Sequence, residues 1–259
     1  MGLFFRSIRW DKIMSMFGMT EVVHMKLPSL AAMDSVQVPG AADVSALAPG
    51  RPFVLYVTDV YCGWCHGFGE RLREFEEANK ARLPFRIISG GLFIGSKVAP
   101  ISAFPHIPEA NARIARLTGA CFGAPYQKLV EQGSFVMDSL QAAAGLAALR
   151  AQDPSRGVHF AHRLQKAFYE QGLDLAEAST VLEIAESEGI DVGKTEALLN
   201  DGKALAAAKE DFDLARRLGV SAFPTLLFVN GQAVHKLPTH GTTLAVLNKK
   251  IDELITQAC

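Results

Sequence analysis

The stretch Phe53-Val54-Leu55-Tyr56-Val57-Thr58-Asp59-Val60-Tyr61-Cys62-Gly63-Trp64-Cys65-His66 decides the architecture. Its first five residues are an unbroken run of β-formers, the pattern of a strand buried on both faces. Thr58-Asp59 end the run. From Gly63 to about Lys80 the period changes: Phe68, Leu72, Phe75 and Ala78 recur at helical spacing. Two cysteines, Cys62 and Cys65, therefore fall where a buried strand hands over to a helix. Phe85-Arg86-Ile87-Ile88 reads as a second strand, closed by Ser89-Gly90-Gly91. Strand, helix, strand over so short a span is a βαβ unit, whose strands run parallel.

Outward from this unit, the text from about Pro108 to Gly219 is helical. Gly119, Gly133, Pro154, Gly172, Gly189, Gly202 and Gly219 stand where helices should stop. Thr180 with Glu183 fits a capping box, and Asp138 or Ser139 is placed to cap the alanine-rich helix that follows. Leu205, Phe212 and Leu218 form the inward stripe of a helix over Lys203–Leu218. The β pattern then returns: Thr225–Val229 is a strand, Asn230-Gly231 a two-residue hairpin signal, and Gln232–Leu237 the partner strand. A last helix spans about Thr242 to Thr256, with Leu244, Leu247, Ile251 and Leu254 on one face. The expected fold is α/β: one mixed sheet with helices on both faces.

Cys62 at a helix N-terminus meets unpaired N–H groups and the positive end of the helix dipole. That setting predicts a lowered thiol pKa, and the thiolate is the form that attacks a disulfide. Cys65, one turn on, is placed to attack a mixed disulfide on Cys62 and release the product. Gly63 and Trp64 set the geometry between them. His66 could add positive charge if protonated, although neighbours at i+1 do not face each other on a helix. Trp64 admits two readings, a substrate-contacting aromatic or a cover for the helix start. Asp59 admits two as well, a hydrogen-bonding group at the helix start or a proton relay. Gly90 and Gly91 serve either a tight turn or a close approach of backbone to substrate. Ser221-Ala222-Phe223-Pro224-Thr225 places a proline at the start of a strand, where proline is tolerated.

Taken together, the CGWCHGF run at Cys62–Phe68, SGGL at Ser89–Leu92 and GVSAFPTL at Gly219–Leu226 resemble the DsbA-like branch of the thioredoxin superfamily. Within that branch they are similar to a family of predicted protein-disulfide isomerases. The resemblance covers about residues 53–257. It implies a thioredoxin-like fold with a large α-helical insertion: core segments at 53–95 and 203–257, an insertion at about 105–202, and an N-terminal extension over 1–50. It further implies a thiol-disulfide oxidoreductase or isomerase, with Cys62 the attacking and Cys65 the resolving thiol. Pro224 would be a cis proline beside them, and Phe223 would shape the substrate groove. Phe223 is bulkier than the small or β-branched residue often found there. Gly63-Trp64 differs from the dipeptides of the best-known oxidants and reductants, so the direction of reaction stays open. The implied partners are protein or small-molecule thiols and disulfides and a redox partner, with no organic cofactor and no metal. A glutathione-dependent transferase or isomerase on the same scaffold, or a non-enzymatic adaptor, are the alternatives. Relatives with glutathione-dependent chemistry typically lack the second cysteine.

Other readings of the pair are weaker. CxxCH is also the c-type haem attachment pattern, but that reading predicts a secretory signal and loops around the motif rather than a buried strand before it. A zinc site needs four ligands, and Cys121 and Cys259 form no second close pair. Cys121 reads as a packing cysteine, Cys259 as a mobile terminus, and His159 and His162, without a third ligand, as surface or core histidines. The chain of 259 residues is long enough to bury a core without disulfide staples. A net charge of -1 argues against a general nucleic-acid binder. The uncharged stretch Leu218–His235 contains Pro224 and Asn230-Gly231, which excludes a membrane span there. In the first nineteen residues, Leu3, Phe4, Ile8, Ile13 and Phe17 fall partly on one face of an amphipathic stretch. The apolar run is too short for a secretory signal. Translation from Met19 or Met25 is a further reading. The missing signal leans cytoplasmic, with an exported location as the alternative, since stable disulfides belong to oxidising compartments.

Overall fold

The structure, a computed structural model, describes residues 44–258. The expectations for the N-terminal amphipathic stretch, the alternative starts, most of the lead-in and Cys259 lie outside the described residues. The element order is β1 (Phe53–Thr58), α1 (Gly63–Asn79), β2 (Phe85–Ser89), β3 (Ala99–Pro100), α2 (Ile107–Thr118), α3 (Ala124–Gln132), β4 (Val136–Met137), α4 (Ser139–Arg150), α5 (Gly157–Tyr169), α6 (Ala178–Ser187), α7 (Val192–Asn200), α8 (Lys203–Arg217), β5 (Thr225–Asn230), β6 (Ala233–Leu237) and α9 (Leu244–Ala258). The main sheet has the order β2-β1-β5-β6. β1 pairs parallel with β2 and antiparallel with β5, so the expected mixed sheet forms.

Alternation along the strands divides the core. Val54 and Tyr56 of β1, Phe85 and Ile87 of β2 and Leu226 and Phe228 of β5 face one side. There they meet Phe68, Leu72 and Phe75 of α1, Phe160 and Leu164 of α5, and Leu247 and Ile251 of α9. Phe53, Leu55 and Val57 face the other side, against Leu214 and Ala215 of α8 and Leu218 at its C-cap. The central strand is buried at every position because both faces are covered. Val44 and Ala48, which the sequence reading leaves in the irregular lead-in, are buried on this second face.

Several local expectations are corrected. Thr180 does not cap a helix: α6 starts at Ala178 with Glu177 at the N-cap position, and Thr180 is buried inside the first turn. The hairpin turn sits one residue later than Asn230-Gly231. Asn230 pairs with Ala233, leaving Gly231 and Gln232 between the strands. Only Gly231 has a positive φ, the pattern of a turn with glycine at its first central position. β3 and β4 form a small second sheet with no sequence signal. Asp138 does cap α4, accepting from Leu140 N at 2.9 Å. Ser139 instead accepts from Phe93 N at 2.9 Å, which fastens the loop after β2.

Candidate functional site

β1 and α1 deliver the cysteines to one edge of the sheet. Cys62 is the N-cap of α1, and its Sγ accepts from Cys65 N at 3.3 Å. Cys65 lies one turn inside and is fully buried. The junction is held by Asp59, which is buried and accepts from Tyr61 N at 2.9 Å and Leu92 N at 2.7 Å. Its backbone oxygen receives Cys62 N at 3.0 Å. Of the two readings of Asp59, these bonds describe the hydrogen-bonding one. Tyr169 of α5 donates its hydroxyl to Tyr61 O at 2.6 Å.

The fold brings Phe223 and Pro224 to the cysteines across 161 residues of sequence. Phe223-Pro224 is a cis peptide. Cys62 Sγ donates to Phe223 O at 3.6 Å. The Phe223 ring lies against Gly90, where a Cβ would stand 1.9 Å from the ring edge. Gly90 is therefore a close-approach glycine, and what approaches it is Phe223. Gly91, with φ 72°, is the turn glycine.

Two features of the site differ from the sequence expectation. Burial pushes the Cys62 thiol up, and the Cys65 sulfur and Asp59 push the same way. The Cys65 N–H at the helix start pulls it down, but burial is the larger effect. The bond from Cys62 Sγ to Phe223 O is one that the protonated thiol makes. His66 brings no positive charge either. It is buried, stacked on Tyr169 at 4.7 Å, with Nε2 2.9 Å from Cys121 O, and burial lowers its pKa. Cys121 is exposed rather than packed. Its backbone carbonyl meets His66 of the helix that bears the cysteines.

Trp64 is half-buried, with His240 edge-on at 5.4 Å and the Arg113 guanidinium 5.8 Å from its ring centre. It stands between two hollows. One, of about 200 Å³, is lined by Cys62, Leu92, Ile107, Asn111, Ile114 and Phe223. The other, of about 300 Å³, is bounded by Arg71, Thr118, Pro224, Thr239 and His240. Sequence reading missed the contribution of α2 to the first hollow and the buried Tyr56 and Tyr169 behind the pair. Tyr56 left one trace: it is the polar-tipped residue in the run Phe53–Val57. Among the described residues no group of three His, Cys, Asp or Glu side chains could hold a metal, and no helix is long and apolar enough to cross a membrane.

A strand–Cys62-Gly63-Trp64-Cys65–helix junction beside a proline-led strand, on a mixed sheet with a helical insertion, defines a DsbA-like thiol-disulfide oxidoreductase scaffold. The family model for the DSBA-like thioredoxin domain matches residues 54–239, and the chain belongs to that family. Among solved structures it is similar to the cytosolic disulfide reductase DsbM from Pseudomonas aeruginosa: 28% identity, TM-score 0.66, 79% of this chain and 98% of that one. A second structure of that protein, with GSH, aligns at TM-score 0.64. A putative protein disulfide isomerase from Nitrosomonas europaea shares the fold at TM-score 0.71 and 21% identity, over 81% of this chain and 100% of that one. A curated relative, the ClpXP adapter protein SpxH of Bacillus subtilis, is 28% identical over 127 residues, 49% of this chain. The chain spans 42% of that relative's length.

Proposed function

We propose that the chain is a disulfide reductase working through the Cys62–Cys65 dithiol, in the cytoplasm, on substrates no larger at the reacting end than a small peptide thiol. The carrying observation is Cys62 on the wall of the 200 Å³ hollow, with Cys65 buried one helical turn behind it. Cys62, as thiolate, attacks one sulfur of a substrate disulfide, and the other sulfur leaves and takes up a proton. Cys65 then loses its proton and attacks the Cys62 sulfur. The Cys62–Cys65 disulfide forms and the second substrate sulfur leaves as a thiol. Two electrons have passed from the dithiol to the substrate, and a reducing thiol partner must restore the pair. The likeness to DsbM, a cytosolic disulfide reductase also solved with GSH, supports both the direction and glutathione as such a partner.

The equilibrium reduction potential of the pair tests the direction. A value near the thioredoxin end, about -270 mV, is expected; one near about -120 mV would overturn it. Cys65→Ser should accumulate a covalent mixed disulfide on Cys62, seen by intact mass, and Cys62→Ser should form none. The likeness to SpxH favours an adaptor as a second reading. Partner binding and biological effect that survive Cys62→Ser unchanged would favour that reading over the reductase.

A further inference from the structure

α2 brings one polar side chain into the hollow that holds Cys62, and the dithiol chemistry does not use it. The wall there is largely apolar, with Leu92, Ile107, Ala110, Ile114 and Met137, and Asn111 stands among them. Its Nδ2 donates to the Tyr126 hydroxyl oxygen at 2.9 Å. Tyr126 is 2% exposed, with its ring 5.0 Å from those of Phe168 and Tyr169. A planar amide whose nitrogen is tied in this way has its oxygen directed as well. That oxygen lies beside the residue after the attacking cysteine: a Cβ added to Gly63 would stand 3.3 Å from Asn111 Oδ1 and 3.2 Å from Ile114 Cδ1. Gly63 thus lets α2 close on the start of α1. An amide oxygen is an acceptor with two lone pairs, and among the described residues nothing donates to Asn111 Oδ1. The nearby Tyr169 hydroxyl is committed to Tyr61 O at 2.6 Å. The hollow presents a fixed, unused acceptor close to Cys62.

We propose that Asn111 is a specificity-determining residue: its side-chain oxygen receives the amide N–H of the substrate's reacting cysteinyl unit, so that the hollow selects acylated, peptide-like cysteinyl disulfides over those without that N–H. The assignment rests on the reading in which Cys62 attacks the substrate. In that step the Cys62 thiolate bonds to one substrate sulfur, the substrate S–S bond breaks, and the other sulfur leaves with the electron pair and takes up a proton. Asn111 takes no part in the exchange itself. It acts on the half that stays bound, whose amide nitrogen is only a short span from its sulfur. In a largely apolar hollow an N–H that finds no acceptor loses its hydration without return. Meeting a carbonyl oxygen there favours the substrate that carries the N–H, by about tenfold for one neutral hydrogen bond. Tyr126 holds the amide in its accepting direction before substrate arrives, so binding has little left to order.

The trapped adduct reads this selection. In a full-length Cys65→Ser, Cys121→Ser, Cys259→Ser background, Cys62 is the only thiol left, and its mixed disulfide is followed by intact mass after acid quench. Two symmetric disulfides are compared: that of N-acetylcysteine methylamide, and that of mercaptopropionic acid methylamide, the same molecule without its acylamino group. Each rate is divided by that of the same disulfide with free dithiothreitol, which removes the difference between the leaving thiols. The background protein should prefer the first disulfide by about tenfold. Asn111→Ala, at a helical position that alanine suits, should abolish the preference by slowing the first disulfide while leaving the second unchanged. Tyr126→Phe, which keeps the ring and releases the amide, should weaken the preference by less. No preference at the outset, a preference that survives Asn111→Ala, or equal slowing of both disulfides would overturn the assignment while leaving the dithiol reading intact. No adduct on Cys62 with either disulfide would remove the reading of Cys62 as the attacking thiol, and the assignment with it.

Discussion

Gly90 shows how one missing Cβ makes room for the Phe223 ring. The Phe223 ring occupies the space a side chain would take, at 1.9 Å from the ideal Cβ position. The cost of Gly90→Ala is one of contact alone, and overpacking of this kind costs about 1–3 kcal/mol. In a Phe223→Ala background the same substitution should cost far less. A double-mutant cycle by urea unfolding should show that coupling, whereas additive effects would mean the ring is not what fills the space. At this scale the sequence was only partly legible. Cys62, Cys65 and Pro224 could be picked out from motif and order, yet the contact of Gly90 with Phe223 joins residues that no spacing rule connects. The same holds for the resting state of Cys62. A helix start is written in the sequence, while the burial that opposes it is a property of the packed molecule.

The elements were legible where one physical signal dominated. β1 announces itself because a strand covered on both faces must be apolar throughout, and α1, α8 and α9 because one stripe faces the core. β3 and β4 are two residues each, too short for any period. The Thr180 motif failed because a capping pattern is local, and here Glu177 starts the helix earlier. Also invisible was the tie between α4, α8 and β2. Arg150 holds Asp211 with two bonds, at 2.9 and 3.0 Å, and also donates to Ile87 O; Asp211 accepts from Ser89 N at 2.9 Å. With both side chains largely buried, Asp211→Ala strands a cation and an N–H and should cost about 3–5 kcal/mol. Arg150→Met combined with Asp211→Ala should recover most of that loss in thermal or urea unfolding. A double variant as unstable as the single one would place the cost in β2 rather than in the stranded charge.

The whole molecule couples its acid stability to a histidine, His162, that the sequence marks only as surface or core. His162, on α5, is buried against α1, and burial pulls its pKa down to about 4. The exposed Glu70 carboxylate, 3.1 Å from Nε2, opposes this but does not offset it; Arg73, Lys166 and His66 work with burial. His66, stacked within the same layer, is lowered by burial as well. In the unfolded chain a histidine titrates near ~6.5. Above that value His162 is neutral in both states and costs nothing. Below it the unfolded chain takes up a proton that the folded one refuses until about 4, so stability falls as pH falls across that window. By pH ~5 the loss through His162 alone should reach about 2 kcal/mol. His162→Gln removes the titrating group, so urea unfolding at pH ~7 and ~5 should show a drop smaller by about that amount, whatever the variant's stability at neutral pH. An undiminished drop would mean that His162 accepts its proton in the folded state, and that Glu70, not burial, governs it.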